Sequence, residues 1–396
     1  MVRWRREPPS NHEGAGRILA GLHRSAHAAF APHLTDVVLP LVPRGYRGRS
    51  QTNPPIPRSR MSASPFDDFR DLVNLLPGPD ATAVAAWEER DAQLTKIPGS
   101  LGRLEEISKL VAAYTGKIPP RVEKPLVAVF AATHGITAQG VSAFPAEVTK
   151  QMVANYANGG AAINQICMVS DIGLKVFELA LDFPTPDISV VDAFDEQGCA
   201  ATMAFGMEAL AGGTDLLCFG EMGIGNTAVA SAIYHALWGG EAADWVGPGT
   251  GVVGDALANK IAVVARTVKR LGGETDPLEI LRRIGGREIA AMVGAILGAR
   301  HQKVPVVLDG FVTTAAAAIV WAMNPDAVDH CIFAHCSAEP AHARVLAKMG
   351  KKPLLDLGMR LGEGTGAALA ATIVRAAVAC HNGMATFAEA GVSNKE

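Results

Sequence analysis

Residues 216–227 read LLCFGEMGIGNT, an apolar run followed by glycines, one carboxylate and two small polar residues. A short apolar run of this kind is typical of a buried strand, and the glycines allow a tight turn into a following helix. Backbone N–H groups at such a turn, together with the positive end of the next helix, can bind an anion. A tight turn without a ligand is the alternative. The stretch lacks the spacing and the trailing lysine of a nucleoside-triphosphate loop.

The same arrangement, an apolar run that ends in small and polar residues, recurs along the chain. Long alanine-rich helical stretches separate the runs, which predicts an α/β fold with a parallel sheet and crossover helices. Because ligands bind beyond the carboxyl ends of parallel strands, the polar segments should form one composite site. The predicted strands are 126–132, 175–181, 216–219, 304–308, 331–334 and, on a weaker pattern, 353–357.

Both ends of the patterned chain are predicted to be helical. Residues 66–115 have a helical pattern that prolines divide into about three segments, and residues 366–381 should form a final helix. This last helix is expected to return and pack with the N-terminal helices. We therefore expect a small helical domain from residues 61–125 and 367–396, and an α/β catalytic domain from residues 126–366.

The first sixty residues differ in composition from the rest of the chain. Residues 1–60 are rich in arginine and proline, and their helical and strand periodicity is poor. Such a segment cannot bury enough apolar surface to offset the entropy of ordering. We expect residues 1–60 to be a disordered extension, with translation beginning at Met61. A flexible basic tail that binds a partner is the alternative.

The overall composition argues against several classes of protein. Hydrophobic residues make up 49% and charged residues 19% of the 396 residues, so the chain can form a large core. A formal net charge of −3 argues against a chain that coats nucleic acid. The cysteines have no paired short spacing, and no apolar run is long enough for a membrane span. We expect a soluble cytoplasmic enzyme with no nucleic-acid or membrane partner.

Two charged side chains beside glycines are candidates for chemistry. Lys260 follows the glycine-rich loop 247–251 and could supply a positive charge to a phosphate, or it could be a solvated helix position. Glu363 is flanked by glycines, so a ligand can approach its carboxylate. It could act as a general base if burial raises its pKa toward neutrality. A carboxylate that caps the following helix is the alternative.

A metal site and a serine-nucleophile site are both disfavoured. Side chains along a strand alternate between its faces, so we expect no three or four of the nearby histidines and cysteines to converge on one ion. The Gly-x-Ser-x-Gly pattern of a nucleophile elbow is absent. No metal and no cofactor are expected. The histidines and cysteines concerned are His330, Cys331, His335, Cys336 and His342.

Taken together, these segments resemble the nicotinate-nucleotide:dimethylbenzimidazole phosphoribosyltransferase family, from about Asp91 to Val392. Each motif alone is weak, but the ordered set is specific. The resemblance implies a Rossmann-like parallel sheet, a small helical domain built from the N- and C-terminal segments, and a homodimer. The motifs are KIPGSLGRL at 96–104, GVSAFP at 140–145, GEMGIGNT at 220–227, LDGF at 308–311, SAE at 337–339 and MRLGEG at 359–364.

The resemblance also implies a reaction between two small molecules, with a place for each. A phosphoribosyl group would pass from nicotinate mononucleotide to 5,6-dimethylbenzimidazole with inversion and without a metal. Glu363 would be the catalytic base, and Glu221 could stabilise positive charge on the sugar. The benzimidazole would lie near Phe144, Met152 and Leu361. The phosphate and ribose would meet Glu221, Gly223, Lys260, Gly310 and Ser337.

Two stretches depart from the family pattern. Thr133 precedes His134 where relatives often have aspartate, and Asn226-Thr227 is followed by Ala228-Val229 rather than by threonine and a small residue. Neither departure falls on the expected base or phosphate contacts. The second could change the start of the helix after the glycine loop.

Two other functions stay open at this point. A nucleotide-binding sensor with the same fold and no turnover should lack Glu363 or Lys260, and both are present. A dehydrogenase should have an acidic residue about twenty positions after the glycine loop, at the end of a second strand. Glu241 and Asp244 lie near that distance, but in a glycine-rich turn without a clear preceding strand.

Overall fold

The computed structural model describes residues 64–394, together with Ile18 and Gly21. The extension expected at residues 1–60 and the translation start expected at Met61 lie outside the described residues, apart from those two positions. Among the described helices, none has both the length and the hydropathy that crossing a membrane requires.

A five-stranded sheet with the order β2-β1-β3-β4-β5 forms the centre of the described chain. Every neighbouring pair is parallel. The chain moves outward in opposite directions on either side of β1, so the topological switch point falls between β1 and β3, where α/β sheets bind their ligands. The strands are β1 (Pro125–Ala131), β2 (Gly173–Glu178), β3 (Leu216–Met222), β4 (Val306–Leu308) and β5 (Cys331–Phe333).

Helices cover both faces of this sheet. Short 3-10 helices occur between some of them, at Gly135–Gln139, Met207–Leu210, Ala242–Asp244 and Pro325–Val328. The α-helices are α1 (Asp67–Asn74), α2 (Ala81–Asp91), α3 (Arg103–Thr115), α4 (Val148–Ala157), α5 (Ala162–Ser170), α6 (Glu196–Gly206), α7 (Asn226–Trp238), α8 (Gly254–Arg270), α9 (Pro277–Ile284), α10 (Arg287–His301), α11 (Phe311–Met323), α12 (His342–Lys348), α13 (Thr365–Gly383) and α14 (Phe387–Ala390).

Two apolar clusters, one on each face, hold the layers together. The larger cluster packs α6, α7, α10 and α11 on the sheet, and at its centre the Phe130 ring lies 5.2 Å from the Phe177 ring and 5.7 Å from the Phe219 ring. Helices α6 and α10 touch backbone to backbone, since a Cβ on Gly294 would lie 1.8 Å from the carbonyl oxygen of Met203. The smaller cluster packs α3, α5 and α13 on the opposite face.

The prediction of a parallel α/β sheet is confirmed for five of the six expected strands. Strand β2 covers Gly173–Glu178 rather than 175–181, because the chain leaves the sheet at Ala180, which has a φ of 51°. The prediction of a strand at 353–357 is wrong. Leu354 and Leu355 donate to the carbonyl oxygens of Phe333 and Ala334 at the end of β5. Pro353, however, has no N–H, and within this segment Leu355 alone forms a bridge, with His335.

The helical ends of the chain also have the expected form. Residues 66–115 contain α1, α2 and α3, and the final helix α13 begins one residue before the expected 366–381 and ends two residues after it. Val374, Ala377 and Val378 of α13 share a buried cluster with Ile107 and Val111 of α3. The two ends of the chain therefore pack together. The division into domains at residues 125 and 366 stays a prediction.

Candidate active site

A cavity of about 400 Å³ lies at the carboxyl edge of the sheet. Its walls come from the segments after β3, β4 and β5, from α4, and from the segment before α13. This is the composite site that the sequence predicts. The structure places seven of the predicted site residues in its lining, namely Phe144, Met152, Glu221, Gly223, Ser337, Leu361 and Glu363.

The other two predicted residues lie directly behind the lining. Lys260 is fully buried in α8, and its Nζ donates to Thr227 Oγ1 at 2.9 Å and to the carbonyl oxygen of Gly247 at 3.0 Å. Thr227 lines the cavity, so its side chain lies between Lys260 and the cavity. A solvated position for Lys260 is therefore wrong. Gly310 begins α11, where a Cβ would lie 2.8 Å from His335 Nε2 and 3.6 Å from Ser337 Cβ.

Burial makes Lys260 harder to protonate. It lowers the pKa of the lysine to about 8, while the carboxylate of Glu339 acts in the opposite direction. Glu339 is buried and accepts the N–H of Gly249 at 2.8 Å, and Arg360 donates to the carbonyl oxygen of Gly249 at 2.8 Å. A lysine, an arginine and a carboxylate therefore hold the glycine-rich loop 247–251 at the edge of the cavity.

Glu363 combines burial with an unusual backbone. The residue is 5% exposed and has a φ of 64°, in the left-handed region that side chains rarely adopt. Burial raises the pKa of its carboxyl, and the charge of Asp309 acts in the same direction, whereas the Tyr156 hydroxyl and the Ile163 N–H oppose the shift. Glu363 Oε2 is itself buried and makes no hydrogen bond of ordinary geometry within the described structure.

The alternative role of Glu363 as a helix cap is wrong. The backbone N–H groups at the start of α13 are taken by Asp309, whose Oδ2 accepts from Gly364 at 3.1 Å and whose Oδ1 accepts from Ala367 at 2.9 Å. Asp309 comes from the end of β4 and is 2% exposed. Asp309 belongs to the LDGF motif at 308–311, but the sequence alone indicates no role for its side chain.

Glu221 is a second carboxyl with a raised pKa in the same cavity. Burial raises its pKa to about 8; a hydrogen bond from Asn226 Nδ2 opposes the shift, and the charges of Glu288, Asp309 and Glu363 add to it. A Cβ on Gly362 would lie 2.3 Å from Glu221 Oε1, so the loop that carries Glu363 rests on Glu221. Titratable groups with strongly perturbed pKa values cluster at functional sites.

The apolar side of the cavity extends to its opening at the protein surface. Met152 and Val148 of α4 form its floor, while Phe144 and Leu361 are 53% and 59% exposed. Large apolar side chains with this exposure can contact a flat aromatic ring or a second protein chain.

The histidine- and cysteine-rich stretch supports the cavity through hydrogen bonds. Burial lowers the pKa of His342 to about 3, so the ring is neutral, and its Nδ1 accepts the N–H of Ser337 at 2.8 Å. His330 is buried beside α10, where Nε2 donates to the carbonyl oxygen of Ile296 at 3.1 Å. Within residues 64–394, no three His, Cys, Asp or Glu side chains are grouped to hold a metal ion.

The two departures from the family pattern lie close to the glycine loop. His134 pairs with Glu288 at 2.8 Å beneath this loop, and a Cβ on Gly223 would lie 2.8 Å from His134 Nε2. Ala228 and Val229 are buried in the first turn of α7. Helix α7 begins at Asn226 with both residues packed in the core.

Several residues of the site carry no sequence signal that we used. Tyr156 lies in α4, far from the glycine-rich segments in sequence, and only the fold brings its hydroxyl to Glu363. Asn226 and Glu339 belong to two of the motifs given above, but the sequence alone indicates no role for these side chains. Glu241 and Asp244 bound a 3-10 helix rather than a strand, which removes the structural basis for a dinucleotide site.

Comparisons with known proteins agree with this architecture. A family model described as "Phosphoribosyltransferase" matches residues 76–392. The nicotinate-nucleotide–dimethylbenzimidazole phosphoribosyltransferase of Sinorhizobium fredii (strain NBRC 101917 / NGR234) is 66% identical over 339 residues, which is 85% of this chain and 100% of that protein. The protein of the same name from Rhizobium meliloti (strain 1021) is also 66% identical, over the same shares of both chains.

A solved structure gives the same result for the fold. The crystal structure of CobT from Thermus thermophilus has a TM-score of 0.74 and 40% sequence identity, and the match covers 79% of this chain and 100% of that one. Fold, cavity and family model together define an enzyme of the pentosyltransferase class. The chain belongs to the nicotinate-nucleotide–dimethylbenzimidazole phosphoribosyltransferase family, and the resemblance found in the sequence is confirmed.

The raised pKa of Glu221 predicts how stability depends on pH. Since the pKa rises from 4.5 to about 8, the folded protein keeps a proton on this carboxyl where the unfolded chain has lost it. The free energy of unfolding should therefore fall as the pH rises through this range. Glu221→Gln, which stays neutral, should raise the midpoint of thermal unfolding by a few degrees near pH 9 and leave it unchanged near pH 4.

Thermal unfolding followed by circular dichroism across this pH range measures the effect. Glu178→Gln is the matched control, because Glu178 is an exposed carboxylate at the end of strand β2 of the same sheet. A Glu221→Gln protein that is less stable than the wild type near pH 9 would contradict the prediction.

Proposed function

We propose that this enzyme transfers the 5-phosphoribosyl group of nicotinate mononucleotide to 5,6-dimethylbenzimidazole, giving α-ribazole 5′-phosphate and nicotinate. The proposal depends above all on Glu363, a buried residue that lines the cavity and whose carboxyl has a raised pKa. The names of two relatives that are 66% identical contain both substrates. These names and the geometry of Glu363 point to the same chemistry.

The donor needs little help to lose its leaving group. Nicotinate is joined to the ribose through a positively charged pyridinium nitrogen, so the ring leaves without taking up a proton. No general acid and no metal ion are therefore required at that step. Attack from the face opposite the leaving group converts the β linkage of the donor into an α linkage.

The acceptor has the opposite requirement. One benzimidazole nitrogen attacks the anomeric carbon, and the other nitrogen must lose its proton, or a cationic product accumulates. We assign this proton to Glu363, since its raised pKa brings the carboxyl closer to the pH at which a base works well. Phe144, Met152 and Leu361 supply apolar surface for the ring between the cavity floor and its mouth.

The donor phosphate fits the opposite end of the cavity. Helices α7 and α11 begin beside Gly225 and Gly310, and the start of a helix favours an anion. Gly223 and Ser337 line this end, and Lys260 adds positive charge behind Thr227. Positioning of both reactants can offset roughly 7–11 kcal/mol of the barrier.

Glu221 lies between these two ends. Positive charge develops on the sugar as the carbon–nitrogen bond breaks, and an ionised carboxylate beside it stabilises that charge. Before the donor binds, burial raises the pKa of Glu221 to about 8, and a cationic donor would lower it again. Binding of the donor therefore favours the ionised form that the reaction needs.

We also propose that a second copy of the chain covers the mouth of the cavity. The 53% and 59% exposures of Phe144 and Leu361 leave apolar surface that a homodimer would bury.

A direct assay tests the proposed reaction. The purified protein is incubated with nicotinate mononucleotide and 5,6-dimethylbenzimidazole, and free nicotinate and the nucleotide product are measured by chromatography and mass spectrometry. The NMR coupling at the anomeric proton gives the configuration of the product. Binding of nicotinate mononucleotide without release of nicotinate would instead identify a sensor, and a β product would contradict inversion.

Glu363→Gln should lose most of its turnover and still bind the donor. General-base catalysis typically contributes about 10²–10⁴ to the rate, so kcat should fall by about that factor. The dissociation constant for nicotinate mononucleotide should stay within about threefold, because the variant is isosteric. Glu178→Gln serves as the control, and a Glu363→Gln protein within about threefold of wild-type turnover would exclude the base role.

Lys260→Ala should mainly weaken binding of the donor, by about 10- to 100-fold if its charge supports the phosphate. In the wild type, the dissociation constant for nicotinate mononucleotide should rise above pH 8, because Lys260 loses its proton with a pKa of about 8. The variant should lack this rise. Titration calorimetry at several pH values measures both effects, with the exposed Lys269→Ala of the same helix as control. An unchanged constant in Lys260→Ala would remove Lys260 from the site.

A further inference from the structure

The backbone around Glu363 is held in an unfavourable conformation. Gly362, Glu363 and Gly364 have φ angles of 84°, 64° and 85°, three successive residues in the left-handed region. Glycine adopts this region readily, but a residue with a side chain does so only when its surroundings enforce it. The position of the Glu363 carboxylate therefore depends on contacts outside the segment itself.

Asp309 supplies contacts of this kind from the neighbouring strand. One carboxylate oxygen accepts the N–H of Gly364 at 3.1 Å, and the other accepts the N–H of Ala367 at 2.9 Å. Both donors lie within four residues after Glu363, at the start of α13. An anion is favourable there because the N-terminal end of a helix is positive. Both oxygens of Asp309 are therefore engaged with the segment that begins at the proposed base.

The His335 ring lies beside this buried carboxylate. Its Nε2 lies 3.8 Å from Asp309 Oδ1, and both side chains are at most 2% exposed. The packing leaves no space beside them, since a Cβ on Gly366 would lie 2.2 Å from the His335 ring and 2.9 Å from Asp309 Oδ1. Burial raises the pKa of Asp309, and His335 together with the backbone N–H groups opposes this.

Asp309 does not line the cavity, whereas His335 does. A role for Asp309 in the reaction must therefore act through another residue. Glu363 is the candidate, because the two residues are joined through Gly364, and the charge of Asp309 also acts on the Glu363 carboxyl. Tyr156, whose hydroxyl hydrogen-bonds to Glu363, and Glu221 are the other titratable side chains that interact with Glu363.

We propose that Asp309 is a positioning residue: its carboxylate, paired with His335, fixes the left-handed segment 362–364 and thereby aims the Glu363 carboxylate at the acceptor. This inference rests on the proposed function, since it takes Glu363 to be the base. It adds a residue that contacts neither substrate and yet controls the rate of proton removal. No group-transfer step is assigned to Asp309 or His335.

Asp309→Asn tests the proposal with almost no change in shape. An amide has one acceptor oxygen and an NH₂ group, so one of the two backbone N–H groups would face a donor instead of an acceptor. A misplacement of about 1 Å can cost about 10²-fold in rate, so we expect kcat to fall by about 10- to 100-fold. The dissociation constant for nicotinate mononucleotide should stay within about threefold of the wild type.

Two further measurements separate positioning from a general loss of structure. In a double-mutant cycle, Asp309→Asn should lower the residual rate of Glu363→Gln by less than about threefold, whereas a structural defect would cost the same factor in both backgrounds. The acid limb of the kcat/KM profile of Asp309→Asn should also move to lower pH, because the charge that raises the pKa of Glu363 has been removed.

Asp195→Asn is the matched control, since Asp195 accepts the N–H of Gly198 at the start of α6, outside the cavity. Its kcat should match the wild type. If Asp309→Asn does not fold, Asp309→Ser, which keeps one acceptor in a smaller side chain, replaces it in all the measurements.

The outcomes distinguish this inference from the function on which it rests. A Glu363→Gln protein with nearly full activity would overturn the base role and the positioning role together. Impaired Glu363→Gln with fully active Asp309→Asn would overturn the positioning role alone. Full additivity in the double-mutant cycle, or an acid limb that does not move, would also overturn it.

Discussion

The segment that carries Glu363 lies directly on strand β3, with backbone against backbone. A Cβ on Gly220 would lie 2.5 Å from the carbonyl oxygen of Glu363, and one on Gly364 would lie 3.1 Å from Gly220 Cα. No side chain fits between the two segments. Because Glu221 follows Gly220, this contact brings two carboxyls from distant parts of the sequence into one cavity, where the charge of Glu363 makes Glu221 harder to ionise.

This contact also explains why the site is electrostatically unfavourable before a ligand binds. Burial raises the pKa of Glu221 and of Glu363, and burial lowers the pKa of Lys260. The two carboxyls are therefore harder to ionise, and the lysine is harder to protonate, than they would be in water. A ligand with a positive charge beside the two carboxyls and a negative charge near Lys260 would correct both imbalances at once.

The sequence predicts those features that depend on local pattern. Apolar runs that end in glycines identify the strands, and the carboxyl edge of a parallel sheet must gather the segments that follow them. Lys260 and Glu363 were found in this way, although their alternatives as a solvated lysine and a capping carboxylate could be rejected only with the structure. The ordered motifs identified the family before the fold was known.

Other features depend on contacts that no local pattern records. The segment 353–357 has the composition of a strand, but it lies beside the end of β5 with a single bridge, because Pro353 lacks an N–H and few partners remain there. Tyr156 reaches Glu363 from a helix whose sequence shows only a packing pattern. In the sequence, Asp309 is an ordinary carboxylate at the end of a strand. Only the fold shows that the start of α13 lies against its oxygens.

The backbone contact between α6 and α10 determines on which side ligands can enter and leave the cavity. Two helices that meet at Gly206 and Gly294 without intervening side chains cannot slide without steric collision, so the sheet and the helices behind it form a rigid base. Ligands must then enter and leave the cavity on the opposite side, at its mouth. On that side the segment 359–364 is held by Asp309 and by Arg360, whereas the segment that bears Phe144 is joined to the neighbouring loop through Thr250, so it is the part of the wall that can move most easily.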